Sequence, residues 1–243
     1  MIRLFCLSLL LLAAVATAQD RTKPVVFCNW DMEQYGKLEK YRTVKNKGFP
    51  YVNQLRLESN PALMPVIDPP KDAENGPTGK ALFFDGSQTR CSRSMYNWNT
   101  KRAFDMRFWI RPTRPEPTGA QTVLQMPRAW EVAWKAGDLS LHIFYRDKNL
   151  TLKLPCEADV WSEVSVSYRT TGEIVLEVDG QKSERKLDPG DEMNKVDLPI
   201  RLGTNSFFER PFRGYLDNVH FQSFFEKKRG NPLKLDKNFG RFL

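Results

Sequence analysis

The sequence contains few cysteines and histidines, and this scarcity narrows the chemistry that the protein can perform. Four cysteines and two histidines occur among 243 residues. No two cysteines form a C-x-x-C pair, so a cysteine-based zinc site has no support. Walker, G-x-S-x-G and H-E-x-x-H motifs are also missing from the sequence. The sequence therefore lacks the motif signatures of nucleotide-dependent enzymes, serine hydrolases and zinc proteases.

Long apolar runs are missing beyond the N-terminus. Arg3 is followed by an apolar run over residues 4–15 and then by Ala16-Thr17-Ala18, which is the pattern of a secretory signal peptide. This run is shorter than the roughly 18–20 residues of a membrane-spanning helix, and no later segment approaches that length. We expect residues 1–18 to be a signal peptide, and the product to be secreted into an extracellular or periplasmic space without a membrane span.

Three cysteines remain after the expected cleavage, and they are Cys28, Cys91 and Cys156. An odd number in an oxidising compartment allows one disulfide and one thiol, and the three possible pairings stay open. So low a count predicts that the hydrophobic core, rather than disulfides, holds the fold together.

Acidic residues are outnumbered by basic ones. The formal net charge is +8, from 37 Lys and Arg against 29 Asp and Glu. The surplus is concentrated in a basic C-terminal tail, residues 224–243, and in a cluster over residues 90–107. A basic exported protein is typical of binders of acidic polysaccharide or anionic surfaces, although basic residues also serve as an ordinary solvated surface. No nucleic-acid partner is expected.

Residues 161–180 show the strongest local pattern in the chain. Apolar residues alternate with polar ones on both sides of a turn at 169–172, at Val164, Val166, Tyr168, Ile174, Leu176 and Val178. Two such runs joined by four turn-forming residues predict a β-hairpin, and Asp179-Gly180 predicts a second tight turn.

Short strand-like runs recur along the rest of the chain and predict an all-β fold. They lie at residues 23–31, 80–85, 104–110, 123–126, 130–134, 139–145, 150–154, 195–202 and 215–221. A turn at 147–149 predicts a second hairpin, and the proline-rich residues 60–79 predict a long irregular connection. Many short strands with frequent turns favour a sandwich or a barrel.

The order of these pieces resembles a known family. GKALFFDG at 79–86, FDMRFWIRPT at 104–113, WSEVSVSY at 161–168, IVLEVDG at 174–180, IRLG at 200–203 and FRGYLDNVHF at 212–221 resemble laminin-G-like jelly rolls of the concanavalin A-like lectin/glucanase superfamily. The resemblance implies an all-β, two-sheet antiparallel jelly-roll sandwich over residues 19–223. Because this fold hosts lectins, adhesive modules, glycoside hydrolases and lyases, the resemblance implies a fold more firmly than an activity.

Catalytic relatives of this fold imply candidate residues of two kinds. Glucan hydrolases commonly carry closely spaced acids on one strand, and the nearest match is Glu177 with Asp179, although Asp179 is better explained by the turn at 179–180. Lyases usually need a His or Tyr base beside Arg or Gln. His142 and Arg146 would lie on the strand face opposite Leu141. Nothing in the sequence requires catalysis.

Aromatic residues beside basic ones supply candidates for sugar binding. An exposed ring can cover the apolar face of a pyranose while charged groups hold its substituents. The predicted ligand-binding set is Trp98, Arg128, Trp130, Trp134, His142 and Arg146. The alternative for each tryptophan is that it plugs an end of the sandwich.

Asp217 is the candidate for a metal ligand. It shares the apolar phase of its strand with Val219 and Phe221, where a carboxylate needs a hydrogen bond or a cation. Laminin-G-like jelly rolls often bind a structural calcium near the meeting of the first and last strands, which implies Asp217 and Asp31 as oxygen ligands. The alternative is that Asp217 accepts backbone hydrogen bonds.

Three functions are consistent with these patterns. The first is an exported non-catalytic carbohydrate- or matrix-binding module, with an acidic polysaccharide or glycoconjugate as its partner. The second is a polysaccharide-active enzyme, either a lyase or a glycoside hydrolase, and the third is an adhesive domain that binds another protein. Exposed aromatic residues with arginines on a concave face would favour the binding module. Clustered acid–base residues would favour the enzyme, and a flat apolar patch would favour the adhesive domain.

Overall fold

The computed structural model describes residues 26–38, 41–46, 48, 55–58, 62–71, 76–87, 90–93, 102–114, 119–196 and 198–224. The predicted signal peptide, Trp98 and all but the first residue of the predicted tail lie outside these ranges. The described residues form sixteen strands: β1 (Val26–Leu38), β2 (Tyr41–Asn46), β3 (Leu55–Glu58), β4 (Ala62–Pro65), β5 (Lys80–Asp85), β6 (Arg90–Arg93), β7 (Ala103–Pro112), β8 (Gln121–Met126), β9 (Trp130–Lys135), β10 (Asp138–Tyr145), β11 (Lys148–Pro155), β12 (Ser162–Tyr168), β13 (Glu173–Val178), β14 (Gln181–Lys186), β15 (Ile200–Leu202) and β16 (Arg213–Phe224). No described helix is long and apolar enough to cross a membrane.

The strands form two antiparallel sheets that continue into each other. The first sheet runs β14–β13–β12–β7–β16, and β16 also pairs with β5, which pairs with β4. The second sheet runs β2–β3–β6–β15–β8–β9–β10–β11. β1 joins them, because residues 26–30 pair with β16 whereas residues 35–38 pair with β2. The predicted all-β, two-sheet antiparallel jelly-roll sandwich is confirmed.

One hydrophobic core fills the space between the two sheets. The ring of Phe104 in the first sheet lies 5.8 Å from that of Trp130 in the second, and it also stacks on Tyr168 and Phe221. Inward and outward side chains alternate along the regular parts of the strands. The outer face of each sheet is therefore left to polar residues, loops or ligands.

The predicted hairpin at 161–180 is confirmed. β12 pairs with β13 so that Val164 is opposite Val178 and Tyr168 is opposite Ile174. The N–H of Gly172 donates to the carbonyl of residue 169 at 2.9 Å, which closes the turn. The tight turn at 179–180 leads into β14, and both of its residues have positive φ.

The second predicted hairpin also forms, but with a different turn. Tyr145 of β10 is directly opposite Lys148 of β11, so the turn consists of Arg146 and Asp147. The predicted turn at 147–149 was wrong because residues 148 and 149 already belong to β11. Arg146 has a φ of 50°, as a two-residue hairpin turn requires. Of the strand predicted at 195–202, the described residues, which leave out 197, form only β15.

Part of the proline-rich connection packs on the outer side of the first sheet. Its first part is β4, which pairs with β5 and is a correction to the predicted irregular structure. Farther along, Val66 packs against a small second cluster of Ala81, Trp109 and Trp161. The indole Nε1 of Trp161 donates to the carbonyl of Ile67 at 2.7 Å. The chain itself therefore covers the outer face of this sheet around Trp109 and Trp161.

A β-bulge in β16 changes which residues face the core. The register against β7 shifts after Asp217, where Asn218 has a φ of 47°. Leu216 lies in the core before the bulge and Val219 lies in it afterwards. Asp217 is opposite Trp109 on the other face. The prediction that Asp217 shares a face with Val219 was wrong, because the bulge reverses the alternation.

The three cysteines of the expected mature chain are buried thiols, so none of the three pairings among them is formed. Burial raises the pKa of the Cys156 thiol to about 12, although a hydrogen bond with Ser162 acts in the opposite direction. A protonated thiol is a weak nucleophile. Cys156 therefore contributes packing rather than reactivity.

Candidate functional site

A row of polar side chains crosses the outer face of the second sheet, which is the face that points away from the core. Its members are directly opposite one another on β15, β8, β9, β10 and β11, and they are Arg201, Gln125, Glu131, His142 and Thr151. Residues directly opposite in antiparallel strands point to the same side. The neighbouring row points inward and is buried, with Leu202, Leu124, Val132, Leu141 and Leu152 as its members. We call the five outward residues the polar row.

Glu131 is the carboxylate of the polar row and is only 3% exposed. Its Oε1 accepts hydrogen bonds from the hydroxyl of Thr122 and from Nη2 of Arg210. A buried carboxylate is tolerated when it is paired and hydrogen-bonded in this way. Glu131 therefore attaches the segment that carries Arg210 to the outer face of the sheet.

His142 lies between Glu131 and Thr151 on the outer face. Its Nδ1 is 2.9 Å from the hydroxyl of Thr151. Partial burial lowers the pKa of His142 below its ordinary value of 6.5; the charge of Glu131 raises it and that of Arg210 lowers it. The imidazole is therefore mainly neutral at neutral pH.

The segment that contains Arg210, which we call the 203–212 loop, borders the polar row. Hydrogen bonds from the N–H of Phe212 to the carbonyl of residue 203, and from the N–H of Thr122 to the carbonyl of Arg210, hold it in place. At its tip, Phe207 is 74% and Phe208 46% exposed. The guanidinium of Arg201 lies 5.2 Å from the ring centroid of Phe208. The outer face thus combines exposed rings, arginine side chains and hydrogen-bonding groups.

Two predicted ligand-binding residues lie in the core instead. Trp130 and Trp134 are both 0% exposed, and Trp134 donates from Nε1 to the carbonyl of Cys156 at 2.8 Å. They are opposite Ile143 and Leu139, so they occupy the inward phase of β9. The prediction that they form an exposed sugar platform was wrong. The one charged residue between them in sequence, Glu131, occupies the opposite face.

Two other predicted residues, Arg128 and Arg146, come together at one end of the second sheet. Each has a positive φ and lies in a turn, and the carbonyls of both accept from Nδ2 of Asn194, at 3.1 and 3.5 Å. Nη2 of Arg146 pairs with the buried Asp191 at 2.6 Å. These arginines lie at the rim of the sheet rather than within the polar row, whereas His142 lies in the row itself.

The predicted calcium ligands are brought near each other along the backbone. Trp30, the residue before Asp31, pairs with β16 just past the bulge at Asp217. Asp217 is buried, and its Oδ1 accepts from the N–H of Asn218 at 2.8 Å, so the predicted backbone hydrogen bond is confirmed. Nδ2 of Asn218 donates to the carbonyl of Gly76 at 3.4 Å.

Oxygen donors at the bulge suit a hard cation such as calcium. Among the described residues, however, no three His, Cys, Asp or Glu side chains group together as metal ligands. Backbone carbonyls would therefore have to complete the coordination. Calcium at this position stays a prediction.

The acidic pair Glu177 and Asp179 is explained by the turn. Asp179 has a φ of 48°, and its Oδ1 accepts from the N–H of Glu163 at 2.8 Å. This hydrogen bond supports the interpretation of Asp179 as a turn residue rather than as part of a catalytic pair.

The ligand-binding residues predicted from the sequence do not include Phe207, Phe208, Arg201, Gln125 or Glu131. The exposure of the two phenylalanines could have been predicted from the sequence. They are adjacent in the polar stretch TNSFFERP, and adjacent side chains of a strand cannot both point to one face. The other three have no such local signal. Their neighbourhood depends on which strands pair, and β15 and β8 are far apart in sequence.

Comparisons with known proteins agree with this architecture. The laminin-G-like family model described as the concanavalin A-like lectin/glucanases superfamily matches residues 84–224, which is more than half of the chain. No curated protein matches the chain.

Several solved structures share the fold at low sequence identity. The receptor-binding domain of botulinum neurotoxin D has a TM-score of 0.60 at 12% identity, over 84% of this chain and 50% of that one. The botulinum neurotoxin serotype D ligand-binding domain in complex with N-acetylneuraminic acid has a TM-score of 0.59 at 12% identity, and the match covers 84% of this chain and 48% of that one. The binding domain of Paraclostridial Mosquitocidal Protein 1 has a TM-score of 0.59 at 12% identity, and the match covers 82% of this chain and 50% of that one. The chain spans about half the length of these structures, and at such identity the likeness concerns the fold alone.

Proposed function

Because the chain belongs to the concanavalin A-like lectin/glucanase superfamily, we propose that it is an exported, non-catalytic module that binds a polysaccharide or glycoconjugate. The proposed site is the outer face of the second sheet, where the 203–212 loop meets the polar row. The observation that carries this proposal is the exposure of Phe207 and Phe208 beside that row. Exposed rings of this size are unfavourable in water, and they become useful when a ligand covers them.

The chemistry of the face suits a sugar better than a purely apolar ligand. A pyranose has one apolar face that packs on an aromatic ring and several hydroxyls that need hydrogen-bond partners. The rings supply the first requirement, while Arg210, His142 and Thr151 carry groups that can meet the second. A similarly folded domain has been solved in complex with N-acetylneuraminic acid, which supports a glycan as the class of ligand.

A binding role is favoured over glycoside hydrolysis by the number of carboxylates. Hydrolysis of a glycosidic bond ordinarily uses two carboxyl groups about 5–9.5 Å apart. The polar row contains one, that of Glu131, and it is buried and engaged by Arg210 and Thr122. Glu131 is therefore suited to hold the loop rather than to reach a substrate.

Binding of the purified protein to a panel of neutral and acidic polysaccharides tests the proposal. We expect the double substitution Phe207→Ala/Phe208→Ala to weaken binding at least tenfold. Ile67→Ala is the matched control, since Ile67 is also an exposed apolar residue but lies over the first sheet. Binding that survives the double substitution would contradict the proposed site, and release of new reducing or unsaturated ends would show an enzyme instead.

A further inference from the structure

Arg210 within the 203–212 loop and Arg201 just before it differ in how their charge is balanced. Arg210 is paired with Glu131. In the part of the chain that the structure describes, no ion pair joins Arg201 to a carboxylate, and its guanidinium instead lies over the ring of Phe208. A ring face attracts a cation without neutralising it. Arg201 is thus a half-buried positive charge that remains available to an anion.

Polar atoms of Arg201, of Gln125 opposite it and of Thr204 three residues farther along the chain lack hydrogen-bond partners. Nε of Arg201, Oε1 of Gln125 and Oγ1 of Thr204 are all buried and unpaired among the described residues. Gln125 is directly opposite Arg201 and is only 6% exposed, and Thr204 follows at the start of the loop. Buried polar groups in folded proteins are nearly always hydrogen-bonded. A local group of unpaired donors and acceptors is therefore a second, independent indication of a ligand here.

These groups define what the ligand must offer. Arg201 Nε is a donor, Gln125 Oε1 is an acceptor, and the Thr204 hydroxyl can act as either. The ligand therefore needs an anionic group for Arg201, a hydroxyl that can donate to Gln125, and an apolar surface for Phe208. A pyranose that carries a carboxylate has all three.

We propose that Arg201 and Gln125 form a subsite for a carboxylated sugar, a uronate or sialate, and that Arg201 binds its carboxylate. This inference rests on the proposed function and names the class of sugar. The planar guanidinium matches the two oxygens of a carboxylate, which a lysine ammonium does not. Because Nε is covered in this structure, we expect the Phe208 ring to shift when the carboxylate binds.

Calorimetric titrations with acidic sugars and their neutral counterparts test this subsite. The first pair of probes is tetragalacturonate and its carboxyl-reduced form, and the second is sialyllactose and its carboxyl-reduced form. We expect the wild-type protein to bind at least one acidic probe tenfold or more tightly than its neutral counterpart. The substitution Arg201→Gln should abolish that preference while leaving affinity for the neutral probe within about threefold.

Two further variants make the result specific. Arg201→Lys keeps the charge but loses the planar fork, so we expect it to retain only part of the preference. It also preserves the test if Arg201→Gln lowers the melting temperature. Arg185→Gln is the matched control, because Arg185 is exposed on β14 at the far edge of the other sheet, and it should change nothing.

The outcomes separate this inference from the proposed function. Three results would each overturn the carboxylate subsite. They are equal affinity of the wild-type protein for acidic and neutral probes, an equal loss of the preference for the acidic probe in Arg201→Gln and Arg185→Gln, and tighter binding of a sulfated heparin tetrasaccharide than of the carboxylated probes. In those cases glycan binding itself would stand. If no probe binds, the subsite is overturned as well, and the polysaccharide panel then decides whether the proposed function fails with it.

Discussion

At the scale of single residues, the outer face is organised by Glu131. Its buried carboxylate attracts Arg210 from the loop and the hydroxyl of Thr122 from the neighbouring strand. It also faces His142 across the strand pair. One buried charge therefore fixes the loop in position and influences the only titratable ring in the polar row.

The position of His142 gives stability a predictable dependence on pH. Because burial lowers its pKa in the folded protein below 6.5, the unfolded chain binds more protons in the interval between the two values. The free energy of unfolding contributed by this group therefore falls as pH is lowered through that interval. We expect His142→Gln to lose less stability than the wild type between about pH 7 and 5, as measured by urea unfolding. Identical pH profiles for the two proteins would refute this assignment.

At the scale of strands, sequence alternation predicts those elements that bury one face. β12 and β13 follow this rule, because their inward residues Val164, Val166, Ile174 and Leu176 are buried whereas the residues between them are partly exposed. β14 has the sequence QKSERK and no buried face, since it is an edge strand, and so it leaves no apolar period to detect.

Alternation does not reveal which strands become neighbours, and the candidate site depends on that. Glu131 and His142 are close in sequence and lie on adjacent strands, but Arg201 joins them only because β15 pairs with β8. The sequence shows that Trp130 and Trp134 share one face of β9, but the charged residues around them suggested that this face is exposed. Their burial follows from the other sheet, whose Phe104 packs against Trp130.

Gly214 tests how closely β16 and β7 approach each other. Its φ is 151°, and an added Cβ would lie 2.5 Å from the carbonyl oxygen of Arg111 and 2.9 Å from Cα of Pro112. We expect Gly214→Ala to lower the free energy of unfolding by about 3 kcal/mol or more, because backbone atoms would have to move. Gly137→Ala is the control, since Gly137 also has positive φ but no atom within 4 Å. It should cost only about 1 kcal/mol. Similar losses in chemical unfolding for both variants would contradict the close approach.

At the scale of the whole molecule, the outer faces of the two sheets differ in what lies against them. The chain itself covers the outer face of the first sheet around Trp161, through Val66 and Ile67. The second sheet keeps its polar row beside a loop with two exposed rings. The region around Trp161 is therefore packed under its own chain, whereas the region where the 203–212 loop meets the polar row is the proposed binding surface.

The predicted calcium site lies where β1 passes from one sheet to the other, so its occupancy would affect the whole sandwich. We expect calcium to raise the melting temperature relative to chelator, with a stabilisation of about 2.7 kcal/mol at a hundredfold excess over Kd. Asp217→Asn should abolish the difference. The control Asp188→Asn changes an exposed acidic residue elsewhere, so the difference in melting temperature between calcium and chelator should remain. A calcium effect of equal size in Asp217→Asn would exclude this position.

Hydrogen–deuterium exchange with and without the tightest-binding polysaccharide of the panel tests the central claim, that the outer face of the second sheet is the binding face. We predict slower amide exchange in the 203–212 loop and in β8 to β10, with no change in β4, β5 or β12 to β14. Protection confined to β4 and residues 66–71, while the loop exchanges as before, would contradict the account and move the binding surface to the first sheet.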